Sequence, residues 1–325
     1  MALRRTVAAA AILAASFVVS GFTPQNVECI APANPGGGWD FTCRQIGKLL
    51  GDQGLVPGTV RVTNMAGGVG ASAYGHVISR RAEDPNLIVA TSAVGVTQIA
   101  QNRYPADADV MRWVGMLYAD VGVVLVKPDS PYQSLDDLLS AVKDDPGGLV
   151  FGGSSAIGGW DHLRFLLLAR EAGVPDEDLG KIRWVEYSGG TDAVTQMLGG
   201  FLDVVSTDLG EIAGFVEAEQ IEALAVLSDE PIPGKFEEIP TAKSLGHDVT
   251  GYNWRGFYTG GNVPDDAYQF WVDTLEKVYE SEEWKQIALD NGLTPIWRGG
   301  DEFQAFIQDQ VDSMRDISQD IGIIQ

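Results

Sequence analysis

Four stretches of the chain mix glycine with small hydroxyl residues: Pro35-Gly36-Gly37-Gly38-Trp39-Asp40, Asn64-Met65-Ala66-Gly67-Gly68-Val69-Gly70, Gly152 to Asp161, and Tyr187-Ser188-Gly189-Gly190-Thr191-Asp192. Each precedes a run with helical spacing of apolar residues. Glycine cannot cover its own amide, so such loops leave N–H groups open where a helix N-terminus concentrates partial positive charge. The chemistry this permits is capture of an oxyanion, with the hydroxyls of Ser154, Ser155 and Thr191 as further donors. An αβ turn takes glycine for steric reasons alone; four such loops together argue for a ligand at the carboxyl ends of a set of strands.

Enzymatic chemistry has specific requirements that the chain meets poorly. Gly68-Val69-Gly70-Ala71-Ser72-Ala73 fits a dinucleotide fingerprint, but no acidic residue ends a strand about 20 residues on. No Gly-Lys pair is followed by Ser or Thr, which removes a phosphate-binding loop of that type, and Ser154 and Ser155 lack a G-x-S-x-G frame. Ser155 with His162 is the arrangement left for a carboxylate-acting enzyme, set against a structural hydrogen bond for a histidine at a helix start. Asp40 suits the dipole of the helix it opens, while Asp208, at the end of an apolar strand, is placed either to accept from ligand hydroxyls or water or to order the loops around it. Trp39, Trp160 and Tyr187 flank the loops as walls. No cofactor is expected. No metal is expected either, since His76, His162, His247 and two cysteines make a thin ligand set.

The setting follows from the rest of the chain. Met1-Ala2-Leu3-Arg4-Arg5, an apolar run from Val7 to Val19 and small residues at Ser20-Gly21 read as an export signal over residues 1–21. Its removal leaves 20 basic against 45 acidic residues, a balance that disfavours nucleic acid and anionic membrane as partners. In an exported chain the isolated pair Cys29 and Cys43 reads as a disulfide, with metal binding as the competing reading.

Strand, small-residue loop and helix begin three times before residue 100, the rhythm of a parallel α/β sheet. Two strand-like runs follow, 113–118 and 121–127. The same unit then recurs in 149–172 and 182–199, which makes two similar α/β lobes, and 202–208 reads as a buried strand. Residues 223–227 read as a buried strand and 256–260 as a last short one. Helices at 265–281, 283–291 and 301–317 close the chain without strands of their own and are expected to pack on the first lobe.

Glu28 to Arg44 resembles the first strand and loop of the solute receptors of tripartite tricarboxylate transporters, and Asn64 to Gly70 is similar to the second loop of that family, with Met65-Ala66 where Arg-Pro is common. Phe151 to His162, Tyr187 to Gly190 and Leu198 to Asp203 resemble further family segments in the same order, so the likeness spans the mature chain. The resemblance implies a two-lobed periplasmic binding protein of the type II, Venus-flytrap kind, with a hinge between two Rossmann-like lobes. It implies capture of citrate or a related di- or tricarboxylate by a non-catalytic, monomeric receptor, and delivery to a permease of one large and one small membrane subunit. A sensor subunit for a signalling kinase is the second receptor-type reading. Carried over by position, Gly36, Gly37, Gly38, Trp39, Asp40, Ala66, Gly67, Gly68, Thr91, Ser92 and Ala93 line the cleft from one lobe. Ser154, Ser155, Ile157, Gly158, Gly159, Tyr187, Gly189, Gly190, Thr191 and Asp208 do so from the other. The lobes are expected at 22–122 with 229–325, and at 123–228.

Overall fold

The computed structural model describes residues 21–187, 189–291 and 293–325, so the expected signal falls almost wholly outside the described residues. The repeated unit forms as β1 (Glu28–Ala31) to α1 (Gly38–Asp52), β2 (Arg61–Asn64) through a 3-10 turn at Gly68–Gly70 to α2 (Ala71–Arg80), and β3 (Leu87–Ser92) to α3 (Ala93–Ala100). After β4 (Met111–Val126) and α4 (Leu135–Asp144) it runs again as β5 (Val150–Gly153) to α5 (Trp160–Glu171) and the short α6 (Asp176–Leu179), β6 (Arg183–Glu186) to α7 (Gly190–Leu198), and β7 (Val204–Asp208) to α8 (Leu209–Glu217). The remaining elements are β8 (Glu222–Val226), β9 (Tyr252–Gly260), α9 (Asp265–Glu280), α10 (Glu282–Asp290), β10 (Thr294–Gly299) and α11 (Gly300–Asp320).

Apolar spacing explains the packing. Thr42, Ile46, Leu49 and Leu50 form one buried stripe of α1 against β1 and β3, where Cys29 and Cys43 are joined in a disulfide with Cα atoms 5.7 Å apart. Both cysteines are fully buried, in a cluster that also holds Trp271 and Trp284. A second, larger cluster runs through both halves of the molecule, from Trp113 and Phe303 to Phe151 and Phe165. Among the described residues no helix is long and apolar enough to cross a membrane.

β1 pairs in parallel with β2 and β3, and β5 with β6 and β7. The sheet as a whole is mixed rather than parallel, because β4 runs antiparallel to each strand it touches: β9 and β10 along its first part, β7 and β8 along Gly122–Val126. The two runs expected at 113–118 and 121–127 are therefore one strand of 16 residues. Ala119 and Asp120, between the two runs, continue the ladder with Trp254 and Asn253.

The closing segment also differs from expectation. β9 begins at Tyr252 and lies between β3 and β4, and β10 adds a strand to the stretch read as helical only. Pro295 and an irregular register to Arg298 disguised β10, features that suit a sheet edge. Residues 253–255 were hidden by Asn253 and Arg255, which interrupt the apolar alternation.

The halves meet at three backbone points. Gly122 N–H donates to Gly251 O (3.1 Å), Gly251 N–H to Leu227 O (2.8 Å), and Leu227 N–H to Gly122 O (2.7 Å). A β-carbon on Gly122 would lie 2.8 Å from Gly251 O and 3.0 Å from Arg164 Cδ, so the junction admits only glycine without movement. Between Leu227 and Gly251 the chain stays beside β8, where Ala242 N–H donates to Val226 O (2.9 Å). α11 bridges the halves from outside: Met314 contacts Thr97 on α3, and Arg170 on α5 pairs with Asp320.

Candidate functional site

The first and third glycine loops are the same structure built twice. Residues 31–38 and 153–160 pass through an identical succession of bends and turns into a helix, offset by 122 positions. Gly36 and Gly158 both adopt left-handed φ, +87° and +79°. Gly37 N–H donates to Asn34 O (3.1 Å) and Gly159 N–H to Ala156 O (2.7 Å).

In the first loop Asp40 accepts from Gly36 N–H (2.9 Å), Arg44 Nε (2.8 Å) and Asn64 Nδ2 (2.8 Å). The Arg44 guanidinium, more than the amides, holds the carboxyl at about 2 against the effect of burial. Asp40 therefore fixes the loop and ties it to β2, and its oxygens face the chain. Gly38 is open on the side where Arg255 approaches: a β-carbon there would sit 3.4 Å from Arg255 Nε. The amides of Gly38 and Trp39 have no acceptor within the protein among the described residues.

Arg255, on β9, hydrogen-bonds Asn253 O (3.1 Å) and Asn253 Oδ1. Sequence reasoning missed it, since nothing in the local pattern links residue 255 to residue 38. Ladder pairing does: Arg255 stands opposite Ser92 of β3 on one side and Tyr118 of β4 on the other.

In the third loop His162 takes the place of Asp40. Its Nδ1 accepts from Gly158 N–H (3.0 Å), its ring lies 5.0 Å from that of Trp184, and burial pushes its pKa down to about 4. Ser155 Oγ accepts from Asp161 N–H (3.0 Å), and Asp161 accepts from both the amide (2.8 Å) and hydroxyl (2.5 Å) of Ser154. Ser155 and His162 thus serve the loop's own backbone. Gly158 is buried, and its carbonyl accepts from Gln101 Nε2 (2.5 Å), while Ile157 is exposed.

Behind this loop lies a buried ionic cluster. Arg164, fully buried, pairs with Asp161 (2.7 Å) and Asp208 (2.5 Å). Asp208 also accepts from Asn253 Nδ2 (2.6 Å), so both of its oxygens are occupied from within the chain. Asp120 accepts from Gly210 N–H (3.0 Å) at the start of α8, and burial, with Asp208 nearby, pushes its carboxyl up.

A cavity of about 400 Å³ opens between the halves. The first half contributes Val69, Val94, Gln98 and Arg103; the second contributes Ser154, Ser155, Ala156, Gly159, Trp160 and Asp161 of the third loop, with Glu186, Asp208 and Glu211, while Asn253 joins from β9. Val69 is held in left-handed conformation (φ 51°, ψ 41°), costly for a β-branched residue and a mark of a functional wall. Of the sequence-derived residues, Ser154, Ser155, Gly159, Trp160 and Asp208 line this cavity.

The others stand around it. Trp39 packs near Gly70 and Gly95. Ala66, Gly67 and Gly68 are exposed ahead of Val69, whereas Thr91, Ser92 and Ala93 are buried, Ser92 capping α3 through Val94 N–H (3.2 Å). Tyr187 borders a separate surface recess with Asp192, and Thr191 Oγ1 donates to Glu211 O (3.1 Å). Gly189 is the residue before α7, and Gly190 N–H donates to Glu211 Oε2 (2.5 Å). Val94 and Gln98 were legible in principle, being one turn apart on the helix that follows Thr91–Ala93. Glu211 was too, three residues past Asp208.

Comparison with known proteins gives three findings. The family model described as "Tripartite tricarboxylate transporter family receptor" matches residues 53–323. The fold is similar to a TctC solute-binding protein from Polaromonas (21% identity, TM-score 0.78, covering 90% of this chain and 97% of that one). It is also similar to two Rhodopseudomonas palustris structures: the protein Rpa4515 with adipate (19% identity, TM-score 0.69, covering 91% and 97%) and MatC with bound malate (17% identity, TM-score 0.66, covering 90% and 98%). The family model describes a receptor, and the Polaromonas structure is a solute-binding protein.

Proposed function

This chain belongs to the tripartite tricarboxylate transporter receptor family, and on that premise we propose that it captures a small di- or tricarboxylate in the periplasm and passes it to a two-subunit membrane permease. The observation that carries this reading is a cavity shared by the two halves and walled on one side by the third glycine loop, residues 153–160, whose geometry repeats that of residues 31–38. A cavity walled by such a loop suits a ligand with oxyanions, and its size fits a molecule of a few carbons. Malate and adipate in the similar structures support the carboxylate class.

The lobes are taken as the β1–β3 and β5–β8 portions, with Gly122, Leu227 and Gly251 as the hinge where a ligand held by both lobes biases closure. The sequence-derived loop residues and Asp208 act as cleft walls and loop anchors in this reading. An acidic chain repels acids at long range, so Arg255 and Arg103 supply local attraction.

A thermal-shift panel of citrate, malate, succinate and adipate tests the proposal. At least one of them raises the melting temperature with increasing concentration. No response to any of the four, or turnover of a bound acid, overturns it.

A further inference from the structure

The two halves of the cavity are unlike in charge. On the first-half side Arg103 stands in the cavity wall beside Val69, Val94 and Gln98, and no carboxylate pairs with it among the described residues. On the second-half side stand Asp161, Asp208, Glu186 and Glu211, of which Asp161 and Asp208 are neutralised by Arg164. Among the described residues Glu186 and Glu211 have no cation paired with them.

The fourth glycine loop shows why. Its open amide is already occupied: Gly190 N–H donates to the carboxylate of Glu211 at 2.5 Å. A β-carbon on Gly190 would fall 2.7 Å from Glu211 Oε2 and 2.4 Å from Thr207 Oγ1, so glycine is needed here to admit the chain's own carboxylate. Thr207 is fully buried and its hydroxyl has no partner among the described residues, a second polar atom beside Glu211. An incoming anion finds the α7 N-terminus taken and a negative wall in front of it.

We infer that Glu211 is a specificity-determining residue, and that the ligand is a carboxylate whose other end carries a hydrogen-bond donor, an ammonium or a hydroxyl, directed at Glu211. The ligand's carboxylate then lies toward Arg103, and the donor end supplies Glu211 with a partner. This rests on the carboxylate-receptor reading and narrows it.

Calorimetric titration with a matched set, succinate, malate and aspartate, tests it; the three share a backbone and differ in having no donor, a hydroxyl or an ammonium. The wild-type protein binds aspartate about tenfold or more tightly than succinate, with malate between, because an ammonium makes a charge-assisted hydrogen bond to Glu211 and succinate has no donor to offer there. Glu211→Gln brings the ratio to within about threefold. Gly190→Ala, which displaces the same carboxylate without removing it, narrows the ratio in the same direction and serves if Glu211→Gln fails to fold. Succinate binding as tightly as aspartate to the wild type, or a ratio unchanged in a folded variant, overturns the inference and leaves the receptor reading intact. Absence of binding by all three acids while citrate or adipate binds also overturns it; absence of binding by every carboxylate overturns the receptor reading itself.

Discussion

Asp40 and His162 do the same task in the two halves: each accepts a hydrogen bond from the amide four residues before it, Gly36 N–H for Asp40 at 2.9 Å and Gly158 N–H for His162 at 3.0 Å. One anchor is a carboxylate paired with Arg44, the other a neutral imidazole packed on Trp184. Protons therefore loosen the two loops in different ranges of pH.

For Asp40, pairing with Arg44 lowers the folded-state pKa from 3.8 to about 2. As pH falls below about 4 the unfolded chain takes up a proton that the folded chain refuses, so the stability Asp40 contributes is whole above that value and is lost toward 2. Asp40→Asn should reduce stability at neutral pH by about 1–2 kcal/mol, and the gap from wild type should close near pH 2. Urea titrations at both pH values check this; a gap that persists in acid would contradict it.

For His162, burial lowers the folded-state pKa from 6.5 to about 4. The unfolded chain binds the proton first, so full stability is present above about pH 6.5 and declines as pH falls toward 4. His162→Ala should destabilise by about 2 kcal/mol at neutral pH through the lost anchor and ring packing. The variant should also lose less stability than wild type between pH 7 and 5. Parallel slopes for the two proteins would show that His162 does not titrate as described.

The junction glycine Gly122 permits a paired comparison. Gly122→Ala places a β-carbon 2.8 Å from Gly251 O and should cost about 1–3 kcal/mol. Gly214→Ala, inside α8 with open space around it, should stabilise by about 0.5–1 kcal/mol. Denaturant midpoints of the two variants moving the same way would refute this account of the junction.

Joining Cys29 to Cys43 closes a separation of 14 residues between β1 and α1. Replacing both by Ser should lower stability by about 3 kcal/mol in the chain-entropy description. Protein unfolded without reductant should show no free thiol, and two thiols per chain would disprove the bond.

Much of the fold was legible because its units are local. Each parallel strand, its loop and its helix occupy contiguous sequence, so Glu28–Asp52 or Val150–Glu171 announce themselves through apolar spacing and glycine. What was hidden depends on pairing across long separations: β9 entering between β3 and β4, β10 at an edge with a proline, and one β4 shared by both halves. The site divides in the same way. Ser154, Ser155 and Gly159 could be found from their loop, whereas Arg255 and Asn253 reach the cavity region only through ladder register. The roles of Asp208 and Gly190 were opaque for another reason. Sequence shows a carboxylate or an open amide, and only packing shows that Arg164 and Glu211 already hold them.

The place of β9 also orders the making of the protein. The second half draws its strands from one continuous stretch, β4 through β8, and can pair them as soon as residue 226 is available. The first half cannot: β3 and β4 are separated by a gap that only Tyr252–Gly260 fills. Until that late segment arrives, β3 presents an unpaired apolar edge. The half that begins first in the chain is thus the last to be completed, and the slow, long-range step of folding belongs to it.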